Sequence, residues 1–132
     1  MSVRTRPVEV LIVPMHATPS RERIFIRELQ DSVKTERPRF VLDCSRVLDM
    51  DTDTIHLLLS SLEEVMKFNG DVRLASLRPG AQVALQVAGI DRLFEIYPST
   101  DTAAQSFQSR PTSLSAPAYR SPIFDNDTEN AA

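Results

Sequence analysis

The sequence predicts an α/β fold, a mixed β-sheet of about four to five strands with about four helices packed on it. Two observations carry that expectation. Short runs rich in β-branched residues alternate with longer segments whose apolar residues recur at helical spacing. The breaks between them fall at proline, glycine or capping clusters that end one element and start the next. Such alternation favours parallel strand pairs joined by right-handed crossovers, with helices laid on the sheet.

Val8-Glu9-Val10-Leu11-Ile12-Val13 is the first strand; it stops at Pro14, which has no N–H to give a ladder. Thr18-Pro19-Ser20 then supplies a cap and a proline for the first helical turn. Phe25, Ile26, Leu29 and Val33 follow at helical spacing, predicting a helix over about 20–35. After Pro38, the unbroken apolar run Phe40-Val41-Leu42 ends at Asp43, the pattern of a central strand covered on both faces. Asp51-Thr52-Asp53 is a capping cluster ahead of Ile55, Leu58, Leu59, Leu62, Val65 and Met66, and Asn69-Gly70 stops this second helix.

Val72 to Ala75 forms the next strand, and Pro79 opens a third helix bearing Val83, Leu85 and Val87. Gly89 sits where a left-handed C-terminal residue is wanted. Leu93 to Tyr97 is the last strand. Ser99 to Phe107 closes the domain as a short helix, with Ser99 or Thr100 at its cap and Ala103, Ala104 and Phe107 packing inward.

The organisation expected is therefore a flexible N-terminus over 1–7, one domain over 8–107 and a disordered tail over 108–132. That tail has three prolines and isolated apolar residues, too few to offset the entropy of ordering it. The 42% hydrophobic content suits one real core in a chain of 132 residues.

Composition removes several function classes. The net charge is −3 and the basic residues are scattered rather than striped with aromatics, which argues against nucleic acid. Apolar runs fall far short of the roughly 20 residues of a membrane span, so a cytoplasmic protein is expected. Cys44 is alone and reads as a small buried hydrophobe; with only His16 and His56 besides, no metal spacing exists. Gly70, Gly80 and Gly89 are the only glycines, which excludes a phosphate-cradling glycine loop, and there is no nucleophile elbow. No catalytic residue, cofactor or metal is expected.

The stretch with chemical potential runs from Phe40 to Thr54: a buried strand, a loop, then a hydroxyl between carboxylates at a helix start. A helix N-terminus carries about half a positive charge and unpaired N–H groups, so a phosphate on Thr52 would be received there. Asp51 and Asp53 act oppositely, crowding like charge against it. The plainer reading is that Asp51, Thr52 and Asp53 only cap the helix. Ser60, Glu63, Glu64 and Lys67 fall mostly off the apolar stripe and read as a solvated face or a docking surface. His56 is a surface histidine or a pH tuner of the neighbouring hydroxyl, and Met15 and Met66 read as core gap-fillers.

Val41-Leu42-Asp43-Cys44-Ser45, Asp51-Thr52-Asp53-Thr54, Gly70-Asp71-Val72-Arg73-Leu74, Leu77-Arg78-Pro79 and Ala88 to Tyr97 resemble, in order and spacing, the STAS domains of bacterial anti-sigma factor antagonists. The resemblance spans about 8–107. It implies a STAS-like sheet and a non-enzymatic regulator of transcription by partner switching. The implied partner is an anti-sigma factor kinase of the histidine-kinase-like ATPase fold. Thr52 matches the hydroxyl that the kinase phosphorylates. Asp51, Asp53, Thr54, His56, Ser60 and Glu63 are the implied partner-binding residues. The chain departs from the family motif at Asp53 and Thr54, where a hydroxyl and a glycine are usual, and at His56, where a small residue is usual. The family also implies an alternative role, an unphosphorylated docking subunit of a transporter or stress-signalling complex. A receiver-type phosphoaspartate domain would need further carboxylates after the first strand and a late lysine. The chain has Pro14-Met15-His16-Ala17 there, and no lysine follows Lys67.

Overall fold

A computed structural model describes residues 8–33 and 36–108. The elements in order are β1 (Val8–Ile12), α1 (Pro19–Ser32), β2 (Arg39–Asp43), α2 (Thr52–Met66), β3 (Asp71–Ala75), α3 (Pro79–Ala88), a 3-10 turn (Asp91–Leu93), β4 (Glu95–Tyr97) and α4 (Thr100–Gln108). The tail and N-terminus expected over 108–132 and 1–7 lie outside the described residues, except that Gln108 completes α4.

The strands lie in the order β1-β2-β3-β4, and all three pairings are parallel. The sheet expected to be mixed is thus parallel across its described strands. Each of their connections contains a helix, and none is the tight hairpin an antiparallel pair would use. Because each strand is added on the same side of the last, right-handed crossovers place α1, α2 and α3 on one face. α4 packs on the other face and touches all four strands.

Two faces need two cores, and β2 supplies both. Phe40, Val41 and Leu42 are fully buried, and alternate strand side chains point to opposite sides. Phe40 and Leu42 enter the larger core with Phe25 and Leu29 of α1, Leu57 and Leu58 of α2, and Leu85 of α3. Val41 enters the smaller one with Ala75 of β3 and Ala103 of α4, edged by Val8, Tyr97 and Phe107. The continuous apolar run Phe40 to Leu42 thus belongs to a strand covered on both faces.

Helix faces differ in part from expectation. In α3, Ala81 and Leu85 are buried, whereas Val83 and Val87 point outward, Val87 at 82% exposure. Two residues of helix rotate a side chain by roughly 200°, so Val83 and Val87 cannot share a face with Leu85. Met66 is 60% exposed and Met15 is exposed too, so neither fills a core gap. α2 instead buries Thr54, Leu57, Leu58, Ser61 and Val65. The last strand starts at Glu95 rather than Leu93, because Asp91–Leu93 turn as a 3-10 helix. Gly89 ends α3 with φ 78°, as its position predicts.

The entry to β3 is held by a close crossing of backbones. Gly70 N–H donates to Val65 O at 3.1 Å, and Asp71 N–H donates to Pro38 O at 2.9 Å. A Cβ on Gly70 would lie 2.4 Å from Pro38 O and 2.6 Å from Val65 Cγ1, so only glycine fits. Asn69 and Arg37, both with φ 59°, make the flanking turns, and Arg37 N–H donates to Phe68 O at 2.8 Å.

Candidate functional site

The loop from β2 to α2 is anchored at several points. Asp43 Oδ1 accepts from Ser45 N–H at 2.9 Å, and Cys44 N–H donates to Ala75 O of β3 at 2.9 Å. Arg78, just ahead of α3, donates from Nε to Ser45 O at 3.1 Å. Val47 and Met50 are buried beneath the loop, while Leu48 between them is exposed. The start of α2 is therefore presented on a fixed frame.

Asp51 is the N-cap in extended backbone. Its Oδ1 accepts the Thr54 backbone N–H at 2.9 Å and the Thr54 hydroxyl at 2.8 Å. The Thr54 N–H first, then its hydroxyl, hold the Asp51 carboxyl below its ordinary range, since both favour the charged form. Thr52 occupies the first position of the helix, exposed, and its hydroxyl makes no hydrogen bond among the described residues. Asp53 beside it is exposed as well.

Capping of α2 thus falls to Asp51 with Thr54, and Thr52 takes no side-chain hydrogen bond in it. Thr54 is a correction to the expected docking set. It is 0% exposed and its hydroxyl is committed to Asp51, so it has no surface to offer a partner.

The remaining docking candidates lie along a polar seam between α1 and α2. His56, exposed, places Nδ1 2.9 Å from the carboxylate of Glu22 on α1. That hydrogen bond and the negative charge of Glu22 raise the His56 pKa above its usual value. Ser60 donates to the same carboxylate at 3.4 Å. One turn further, Gln30 Nε2 donates to Glu64 Oε1 at 3.1 Å, and Lys67 Nζ lies 2.9 Å from Glu64 Oε2. Ser60 and Glu64 are half-buried seam residues rather than a solvated face; Glu63 is exposed beside a groove of about 360 Å³. Glu22 and Gln30 went unnoticed in the sequence because each meets a partner 34 residues away.

Burial pushes the Cys44 thiol up to about 12, so a thiolate is absent at neutral pH. Among the described residues no three His, Cys, Asp or Glu side chains converge to hold a metal ion, and no helix is long and apolar enough to cross a membrane.

An exposed hydroxyl thus stands at the start of α2, on a four-stranded sheet with helices on both faces. Residues 5–103 match the family model described as the STAS domain. The chain belongs to the STAS family.

Solved structures agree with this STAS fold. An anti-sigma factor antagonist (STAS) domain protein from Planctomyces limnophilus is 19% identical, with a TM-score of 0.65 over 76% of this chain and 90% of that one. A sulfate transporter family protein from Wolinella succinogenes is 18% identical, with a TM-score of 0.65 over 80% of this chain and 89% of that one. A putative anti-sigma factor antagonist from Thermotoga maritima is 17% identical, with a TM-score of 0.58 over 77% and 82%. At these identities the likeness is one of fold. No curated protein sequence matches this STAS domain significantly.

Proposed function

We propose that this STAS protein is an anti-sigma factor antagonist-like regulator controlled by phosphorylation at Thr52. Its partner is an anti-sigma factor that is also a serine/threonine kinase of the histidine-kinase-like ATPase fold. The protein acts as binder and substrate, not as catalyst, and works in the cytoplasm.

One observation carries the reading: Thr52 stands exposed at the first position of α2 with its hydroxyl unengaged among the described residues, while Asp51 and Thr54 cap the helix start without it. In the proposed step the γ-phosphoryl group of ATP passes to Thr52 Oγ1, releasing ADP and the hydroxyl proton. The added charge of about −1.5 to −2 meets the positive end of the helix on one side and Asp51 and Asp53 on the other. A partner docked over Asp51, Asp53, His56, Ser60 and Glu63 then faces a changed electrostatic surface and dissociates faster.

The second reading is an unphosphorylated docking subunit of a transporter or stress-signalling complex. It is favoured by the likeness to the sulfate transporter family protein and by Asp53, which sets a permanent negative charge beside Thr52.

Purified protein incubated with candidate kinases and ATP tests the first reading. Label that disappears in Thr52→Ala supports it, and label unchanged in that variant refutes it. Co-purification separates the readings: a histidine-kinase-like partner favours the first, a transporter subunit the second.

A further inference from the structure

A second polar site lies at the opposite end of the sheet, on the α4 side. Val41 and Ala75 face α4, so strand alternation turns Arg39 of β2 and Asp71 and Arg73 of β3 to the same side. The crossing at Gly70 brings Arg37 up beside them. Together with Ser106 and Phe107 of α4, these residues line a pocket of about 320 Å³.

The arginines are held in place. Arg39 and Arg73 lie 5.7 Å and 3.9 Å from the Phe107 ring centroid, and Arg39 Nη1 donates to Phe107 O at 3.1 Å. Arg73 donates from Nη1 to the Ser106 hydroxyl, and its Nη2 is 3.4 Å from the Asp71 carboxylate. Its Nε is buried with no hydrogen-bond acceptor among the described residues; Glu95 comes only to 3.5 Å, outside hydrogen-bonding geometry.

Anchoring α4 accounts for one donor of Arg39 and one of Arg73. It does not account for Arg37, which is exposed and has no side-chain partner among the described residues, or for the rest of the Arg39 fork. In a chain whose net charge is −3, the guanidinium groups of Arg37, Arg39 and Arg73 outnumber the nearby carboxylates of Asp71 and Glu95 and leave the local charge positive. Planar guanidinium forks match the oxygens of a phosphate, and the volume suits a small molecule.

We infer that this pocket binds a phosphate-bearing small molecule, with Arg37 and Arg39 receiving the phosphate and the half-buried Arg73 forming the positive wall behind it. The site is separate from Thr52 and does not depend on the regulatory reading.

The test is a titration of inorganic phosphate into the full ¹⁵N-labelled chain at constant ionic strength, followed by amide shifts. The expected result is saturable shifts concentrated at 37, 39, 69–73 and 106–107. The Arg37→Gln/Arg39→Gln variant should bind at least about tenfold more weakly, and Arg37→Gln alone, altering only an exposed side chain, several-fold more weakly. Shifts that do not saturate, or affinity unchanged in both variants, overturn the inference.

A second arm addresses the chain's own acidic segment, which carries Asp125, Asp127 and Glu129. In a full chain bearing Asp125→Asn, Asp127→Asn and Glu129→Gln, the pocket amides should keep their positions before phosphate is added. If they move, the occupant is that segment and the small-molecule assignment falls.

Discussion

A single carboxylate oxygen of Asp51 accepts both the backbone N–H and the hydroxyl of Thr54, at 2.9 Å and 2.8 Å. The pair closes the first turn of α2 from beneath and draws Thr54 out of solvent. Thr52, between them in sequence, is exposed, and its hydroxyl makes no hydrogen bond among the described residues. Local capping therefore separates two threonines only two residues apart into a structural one and an accessible one.

That separation predicts an order of stabilities. Thr52→Ala should change unfolding free energy by less than about 0.5 kcal/mol. Thr54→Val should cost about 1 kcal/mol for its lost hydrogen bond, and Asp51→Ala about 1–2 kcal/mol for the lost cap. Urea unfolding of the three variants checks the order, and a Thr52→Ala cost as large as that of Asp51→Ala would refute the assignment.

The same cap has a pH signature. The Asp51 carboxyl is lowered in the folded state from an ordinary value of 3.8. Its contribution is thus present above pH 3.8 and is lost as pH falls through the lower folded value. Unfolding of Asp51→Ala followed across the acid range should show a shallower loss of stability below about pH 4 than the parent.

His56 behaves with the opposite sign. Its pKa is raised above 6.5 by the hydrogen bond to Glu22 and then by the charge of that carboxylate. Stability from this pair is complete below pH 6.5 and declines as pH rises through the folded value. The pair is exposed, so the amplitude is small. Glu22→Gln should lower the His56 midpoint toward 6.5 in an imidazole NMR titration, and an unmoved midpoint would remove Glu22 as the cause.

Gly70 and Gly80 should respond oppositely to alanine. At Gly70 the new Cβ meets Pro38 O at 2.4 Å and Val65 Cγ1 at 2.6 Å, so a cost of about 1–3 kcal/mol or more is expected. At Gly80, in the first turn of α3, nothing lies within 4 Å, and helix propensity should leave the variant neutral or more stable by up to about 1 kcal/mol. Thermal unfolding of both variants measures the contrast.

Cys44, fully buried with its thiol at about 12, should resist iodoacetamide at pH 8 in the native protein and react readily in denaturant. Rapid native labelling would mean that the loop after β2 opens far more easily than its hydrogen bonds imply.

Much of this molecule could be read along the chain because it is decided by near neighbours. Thr18 caps α1 by accepting from Arg21 N–H three residues on, Asp51 caps α2 across the same interval, and Gly89 takes the left-handed backbone that ends α3. The unbroken apolar run Phe40 to Leu42 likewise announced a strand covered on both sides. The order of strands and helices, and Thr52 at a helix start, followed from such local chemistry.

The outward faces of Val83, Val87 and Met66 did not, since helical spacing states that a face exists and not which neighbour it will meet. Nor did the seam joining Glu22 to His56 and Ser60, or the cluster of Arg37, Arg39 and Arg73. These side chains come together through parallel register and helix packing between segments tens of residues apart, contacts whose free energy is gained only once the sheet has formed. Short-range hydrogen bonds and backbone preferences thus set the elements and the position of the hydroxyl, and long-range packing set which charges share a surface.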